Sequence, residues 1–441
     1  MLHFIRFCLA LALWTAGLAQ ATLPIQALTL SNGARVYWIH SPTLPMVDVQ
    51  IDFDAGERRD PATQVGLASA VASMTAKGIR AQGRWPAMDE NQLGEAWADL
   101  GASFAGSASD DRMSFRLRSL TRPDILKQAA ELAARQMGHP AYLPRHWDEE
   151  RQRSIAALRE ARTRPAAVAQ ERFMAALYPN HPYGWRTTEA SLGAIKSADL
   201  MRFHREHLLA CRARVSIVGA LDAAQASALA ESLLTHLPQP AACPALPDVP
   251  DAAPLAQAQD IRVPFQAAQS QVFLGQPALK RDDPDYFAML VGNHILGGGG
   301  FVSRLTHQVR ELRGLSYSVY SYVAPGLHTG PFVAGLQTRP DQAQQALQLT
   351  RDVVREFVEK GPSPQELRAA QDNLVGGFAL RLDSNKKLLD NLANIAWHDL
   401  PLNYLDGWTR RIEAVTVQDI RDAFARKIQP DRMVSLTLGP T

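Results

Sequence analysis

The sequence predicts an α+β protein made of two copies of one domain. Two observations carry this. Hydrophobic patterning switches between period two and period 3.6 along the chain. A block of strand, turn and two helices also occurs twice in the same order. At 441 residues the chain exceeds the size of most single domains, which agrees with a duplication.

The first segment, "MLHFIRFCLALALWTAGLAQA", has the basic Arg6, an apolar run to Leu18 and small residues at Ala19 and Ala21. It reads as a secretory signal over residues 1–21, which places the mature protein in the periplasm or outside the cell. The apolar run falls short of the roughly twenty residues needed to cross a bilayer, and no second long apolar segment follows. No membrane span is therefore expected after cleavage.

Residues 22–236 read as the first domain. "ALTLSNGARVYWIHS" places Asn32-Gly33 between two alternating runs, a hairpin signal. "MVDVQIDFDAG" alternates Val47, Val49, Ile51 and Phe53 on one face of a third strand. The helix "GLASAVASMTAKG" follows, then strands from Ala102 and Met113 and a run of long helices. Strands paired locally by turns, with helices on one side, point to mostly antiparallel sheets.

"LPQPAACPALPDVPDAAPLAQAQD" over residues 237–260 is rich in Pro and Ala, has neither periodicity, and reads as a linker. The second domain, residues 261–441, repeats the first. "FRLRSLTRPDILKQAAELAARQM" and "FVAGLQTRPDQAQQALQLTRDVV" share the turn Thr121–Asp124 and Thr338–Asp341. "DEERQRSIAALRE" and "PQELRAAQDNLVG" then give matching helices. In each copy Pro sits where a helix's first turn tolerates a missing N–H.

With 46 basic and 44 acidic side chains scattered along it, the chain offers no blocks of charge to bind nucleic acid. Cys8 lies in the leader. Cys211 and Cys243 remain in an exported, oxidising context and are compatible with a disulfide or with two free thiols. "FHREHLL" places His204 and His207 three apart around Glu206, one residue short of a zinc motif and without an acidic third ligand. It reads as an ordinary helix end, where cationic side chains suit the C-terminus.

Two further stretches carry a resemblance. "HILGGGGFVSRLTHQVRELRGLSYSVYS" follows the pattern L-G-G-G-x-x-S-R-L-x-x-x-V-R-E-x-x-G-L-x-Y-S, and "GLASAVASM" has the frame of G-L-A-H-F-L-E-H-M. On these the chain resembles the pitrilysin/insulinase zinc metallopeptidases in their short, mitochondrial-processing-peptidase-like form, whose two-domain chains are halves of a LuxS-like clamshell. In that family two His four apart on one helix face and a later Glu hold zinc, while a Glu between the His activates water. The resemblance puts Ser69 and Ser73 at the His positions, Ala72 at the base and Ala157 at the last ligand. A neutral alcohol is a poor zinc donor beside imidazole, so no metal is expected in this chain.

The same resemblance gives Arg310 and Tyr317 the task of holding substrate backbone and stabilising the transition state. It makes Gly297, Gly298, Gly299 and Gly300 a loop that another chain can approach closely. It thus implies a non-catalytic subunit of a heterodimeric peptidase. The zinc would lie in a homologous partner with H-x-x-E-H intact, and the substrates would be peptides. The alternatives are a peptide-binding or structural scaffold without a peptidase partner, and an independent hydrolase built on His204 and His207.

Overall fold

The computed structural model describes residues 24–440; the leader expected over residues 1–21 lies outside them. One sheet comprises β1 (Gln26–Thr29), β2 (Arg35–His40), β3 (Met46–Phe53), β4 (Ser103–Ala108), β5 (Met113–Leu120) and β6 (Arg214–Gly219), in the order β1-β2-β6-β3-β5-β4. The other comprises β7 (Gln259–Pro264), β8 (Ser270–Leu279), β9 (Val319–Val323), β10 (Gly330–Thr338) and β11 (Val434–Gly439), in the order β7-β11-β8-β10-β9.

Without the edge strand β1 the two orders are the same. In each, the last strand to appear in sequence pairs parallel with the first and antiparallel with the second, while the other pairings are antiparallel. The α+β duplication read from the sequence is therefore the architecture. The Asn32-Gly33 hairpin forms β1 and β2, with Gly33 at φ 89° closing the turn. Both Thr-Arg-Pro-Asp turns lead from a strand into helical turns, at Pro123–Gly138 and at Pro340–Gln342 running into Ala343–Lys360.

Helices on one side of each sheet is an incomplete description. The second face of each sheet is covered by a helix from the opposite half. Asn385–Trp397 lies on β2, β3 and β6, and Pro165–Leu177 lies on β8 and β11. Phe173 of the latter stacks on Phe273 of β8 at 5.2 Å, and a Cβ on Gly275 would come within 3.1 Å of the Phe173 ring.

The polar face of β3, which the alternation of Val47, Val49, Ile51 and Phe53 leaves for solvent, is thus buried as well. Asp52 there accepts hydrogen bonds from Gln50 and Ser114 and pairs with Arg112 at 3.3 Å; burial pushes its carboxyl up. Asp48 pairs with Arg118 at 2.7 Å.

No helix or strand occupies the stretch between Thr235 and Gln259, yet its first part is tied to the first half, and Asp251 further on pairs with Lys280 and His328 of the second. Pro238 O accepts from the Ala210 amide at 3.0 Å, Pro244 O from Arg212 at 2.7 Å and Pro247 O from Arg59. Cys211 and Cys243 are joined in a disulfide, Cα atoms 6.0 Å apart and 32 residues apart in sequence.

Closing a loop of that length restricts the unfolded chain, a contribution of about 2–4 kcal/mol in the chain-entropy account. The pair Cys211→Ala, Cys243→Ala is expected to lower the unfolding free energy by that amount in urea titration. Counting two free thiols in the unreduced wild type would contradict the bridge. Among the described residues no helix is long and apolar enough to cross a membrane.

Candidate functional site

The helix Leu67–Met74 carries the frame of the zinc motif. It starts from Gly66, whose φ of 101° requires glycine, and its first amides are capped by Asp60. The Asp60 carboxylate accepts from the Gly66 amide at 2.7 Å and the Ala68 amide at 2.8 Å. The residue is 4% exposed, and burial pushes its carboxyl up to about 7.

Leu67, Ala68, Ala70, Val71, Ala72 and Met74 are all buried, so Ser69 and Ser73 are what this short helix shows to its surroundings. Ser69 Oγ donates to Glu57 at 2.6 Å. Ser73 is exposed and donates to the Ala70 carbonyl of its own helix at 3.2 Å.

Ala72 is only 1% exposed. Its carbonyl accepts from Thr75 Oγ1 at 2.7 Å and lies 3.0 Å from where a Cβ on Gly106 of β4 would sit, so strand and helix are in close contact here. Ala157 stands exposed on the helix Pro144–Ala161. Two methyls and two hydroxyls that already have hydrogen-bond partners do not fit a zinc ion. Among the described residues no group of three or more His, Cys, Asp or Glu side chains could hold a metal.

The paired histidines are both in structural use. His204 is buried, its Nε2 2.7 Å from the Met137 carbonyl, and burial pulls it down to about 4. His207 stacks on Phe203 at 4.1 Å with Nδ1 3.0 Å from the Phe203 carbonyl. The hydrolase reading thus has no free imidazole pair to build on. His181 is buried in its turn, with Nδ1 accepting from the Tyr183 amide at 3.1 Å.

In the second half the helix Tyr286–Asn293 runs into a wide turn at His294–Gly298, then a tight one at Gly300–Val302. The four glycines do different work. Gly297 is buried and would place a Cβ 2.5 Å from the Ser321 amide, so it lets this turn pack on β9. Gly298 and Gly300 are exposed, and Gly300 takes φ 63° with open space around it.

Immediately after, Phe301 is 69% exposed, and Tyr317 is 81% exposed just before β9. The Arg310 guanidinium lies between them, 4.7 Å from the Phe301 ring and 4.6 Å from the Tyr317 ring. Tyr317 is therefore no core residue of a strand. Arg310 faces rings, while its neighbour Arg313 is occupied with Gln308.

Phe301 belongs to this group and was not singled out in the sequence. Its signal was present all the same: a large apolar side chain directly after four glycines.

Residues 35–191 match the insulinase domain of peptidase family M16, and residues 194–374 match the peptidase M16 inactive domain. The crystal structure of a peptidase M16 inactive domain from Pseudomonas fluorescens is 32% identical, covering 95% of this chain and 98% of that one with a TM-score of 0.88.

The chain belongs to peptidase family M16.

Within the family, an uncharacterized zinc protease of Streptomyces coelicolor is 30% identical over 258 residues, 57% of this chain and 55% of the relative. The chain thus aligns with about half of that relative's length. The periplasmic protease PqqL of Escherichia coli shares the fold at 19% identity and a TM-score of 0.78, covering 95% of this chain and 46% of PqqL. The inactive-domain match lies in the second half, whereas Ser69, Ala72, Ser73 and Ala157 stand within the residues matched to the insulinase domain; together with the likeness to the M16 inactive-domain structure, those side chains support a non-catalytic homologue.

Proposed function

We propose that this chain is the non-catalytic subunit of a periplasmic heterodimeric zinc metallopeptidase. It lends Arg310 and Tyr317 to a site whose zinc is held by a homologous partner with H-x-x-E-H intact. The observation that carries the reading is the contrast between the two halves. The helix Leu67–Met74 has lost every donor a metal needs, whereas Arg310 and Tyr317 stand exposed and held together in the second half.

Guanidinium and phenol both donate hydrogen bonds, and a carbonyl oxygen that gains charge during peptide attack is their natural acceptor. The exposed backbone at Gly298 and Gly300 allows an extended peptide to come close, and edge strands such as β4 and β9 offer main-chain hydrogen bonds. A PqqL-like fold and the inactive-domain match support a peptidase-related partnership.

The test begins with the purified mature chain. Elemental analysis should find no stoichiometric zinc, and peptides should remain uncut. Mixing with an H-x-x-E-H homologue should give a stable complex with chelator-sensitive cleavage. One tightly bound zinc per isolated chain, with hydrolysis, would reject the reading, and a chain that assembles with no such homologue would leave the scaffold in its place.

A further inference from the structure

We propose that the chain binds a small multivalent oxyanion, a phosphate or carboxylate compound, in a cavity where its two halves meet. The cavity, about 360 Å³, is lined by Arg112 and Arg116 from the first half and by Arg281, Arg381, Asn394 and Tyr404 from the second. Four arginines line it against a single lining carboxylate, Asp390, which Arg116 already engages at 2.7 Å. Arg112 has Asp52 at 3.3 Å.

The other two arginines meet aromatic rings. Arg281 is 6% exposed and lies 3.8 Å from the Tyr286 ring and 5.1 Å from the Tyr404 ring, with Nη2 donating to Tyr404 OH at 2.7 Å. Arg381 sits 5.4 Å from the Trp408 ring.

A ring face attracts a cation weakly compared with what a buried guanidinium loses in leaving water. Nearby arginines are treated differently. Arg35 and Arg214 share Asp399, and Arg118 has Asp48. Arg281 and Arg381, by contrast, have no carboxylate within ion-pair distance among the described residues, so two guanidiniums remain unpaired at this cavity. The positive charge is also felt next door: His398 is pulled down to about 4, first by burial and then by Arg281 and Arg112, with Asp111 opposing.

Guanidinium forks take carboxylate and phosphate oxygens in the same two-point geometry, and a cavity of this size suits a small molecule rather than a folded partner. The site needs only this chain and is independent of any peptidase partner.

The test is calorimetric titration of the intact mature chain at low ionic strength with pyrophosphate and, separately, citrate, using sodium chloride of matched ionic strength as control. One saturable site per chain is expected for at least one probe. Binding of pyrophosphate alone identifies a phosphate ligand, binding of citrate alone a carboxylate ligand, and binding of both a general oxyanion site. Affinity should fall at least tenfold in Arg381→Gln, a substitution at an exposed position, and binding should vanish in Arg281→Met.

Without ligand, Arg281→Met should be no less stable than wild type, because it removes a buried cation that lacks a counter-charge. If that variant does not fold, Arg381→Gln decides. Absence of heat with both probes, or an affinity unchanged in Arg381→Gln, overturns the proposal.

Discussion

In a complex reconstituted with a zinc-bearing homologue, Arg310→Ala or Tyr317→Phe should lower turnover by about a hundredfold to a thousandfold while leaving assembly intact. That is the usual consequence of losing one donor to a developing oxyanion, about 3–4 kcal/mol. The loss should fall on kcat more than on KM, since the charge these groups meet exists only in the transition state. The two substitutions test different things. Tyr317→Phe keeps the ring that faces Arg310 at 4.6 Å and deletes only the hydroxyl, so a large effect points to the hydrogen bond itself. Arg310→Ala removes the cation and leaves the Phe301 and Tyr317 rings facing an empty gap. Steady-state kinetics with size-exclusion chromatography of each complex reads both. Normal turnover in a complex carrying both substitutions would make the pair structural and favour the scaffold.

Ala72→Glu, the substitution that rebuilds the missing base, should destabilise the isolated chain by about 3–5 kcal/mol. The site is 1% exposed and in close contact with β4 at Gly106, so a carboxylate there would be desolvated with no cation or metal to meet it. Ser73→His, on the exposed side of the same helix, should cost little by comparison. Ser69→His breaks the contact to Glu57 and should fall between them. Urea or thermal unfolding ranks the three, and an Ala72→Glu protein as stable as wild type would show that the helix still has room for the lost chemistry. On this ranking the core resists the return of the base at Ala72 rather than of the metal ligands at Ser69, Ser73 and Ala157, which are not buried.

Much of the fold was legible because it is encoded locally. Asn32-Gly33 fixes a hairpin, and each Thr-Arg-Pro-Asp turn ends a strand and starts a helical turn within four residues. The second layer over each sheet was not legible. Asp48, Gln50 and Asp52 look like a solvent face until Asn385–Trp397, over three hundred residues away, packs on it. The site divides in the same way. The loss at Ser69, Ala72 and Ser73 is plain in one short stretch, and so is the retention of Arg310 and Tyr317. What periodicity could not supply was the position of Phe301 against Arg310, or the gathering of Arg112, Arg116, Arg281 and Arg381 from both halves at one cavity. Those juxtapositions arise only when the halves meet.

β6 and β11 each enter the interior of a sheet although each comes last in its half. Until β6 arrives, β2 and β3 have no partner between them, and β7 and β8 wait in the same way for β11, which ends at Gly439. Neither sheet can be finished by zipping up neighbours as they emerge from the ribosome; each has to be keyed shut from its far end, across a long loop whose closure entropy is lost before the pairing rewards it. β11 therefore acts as a keystone, and a chain lacking it is left with an open slot through the middle of its second sheet.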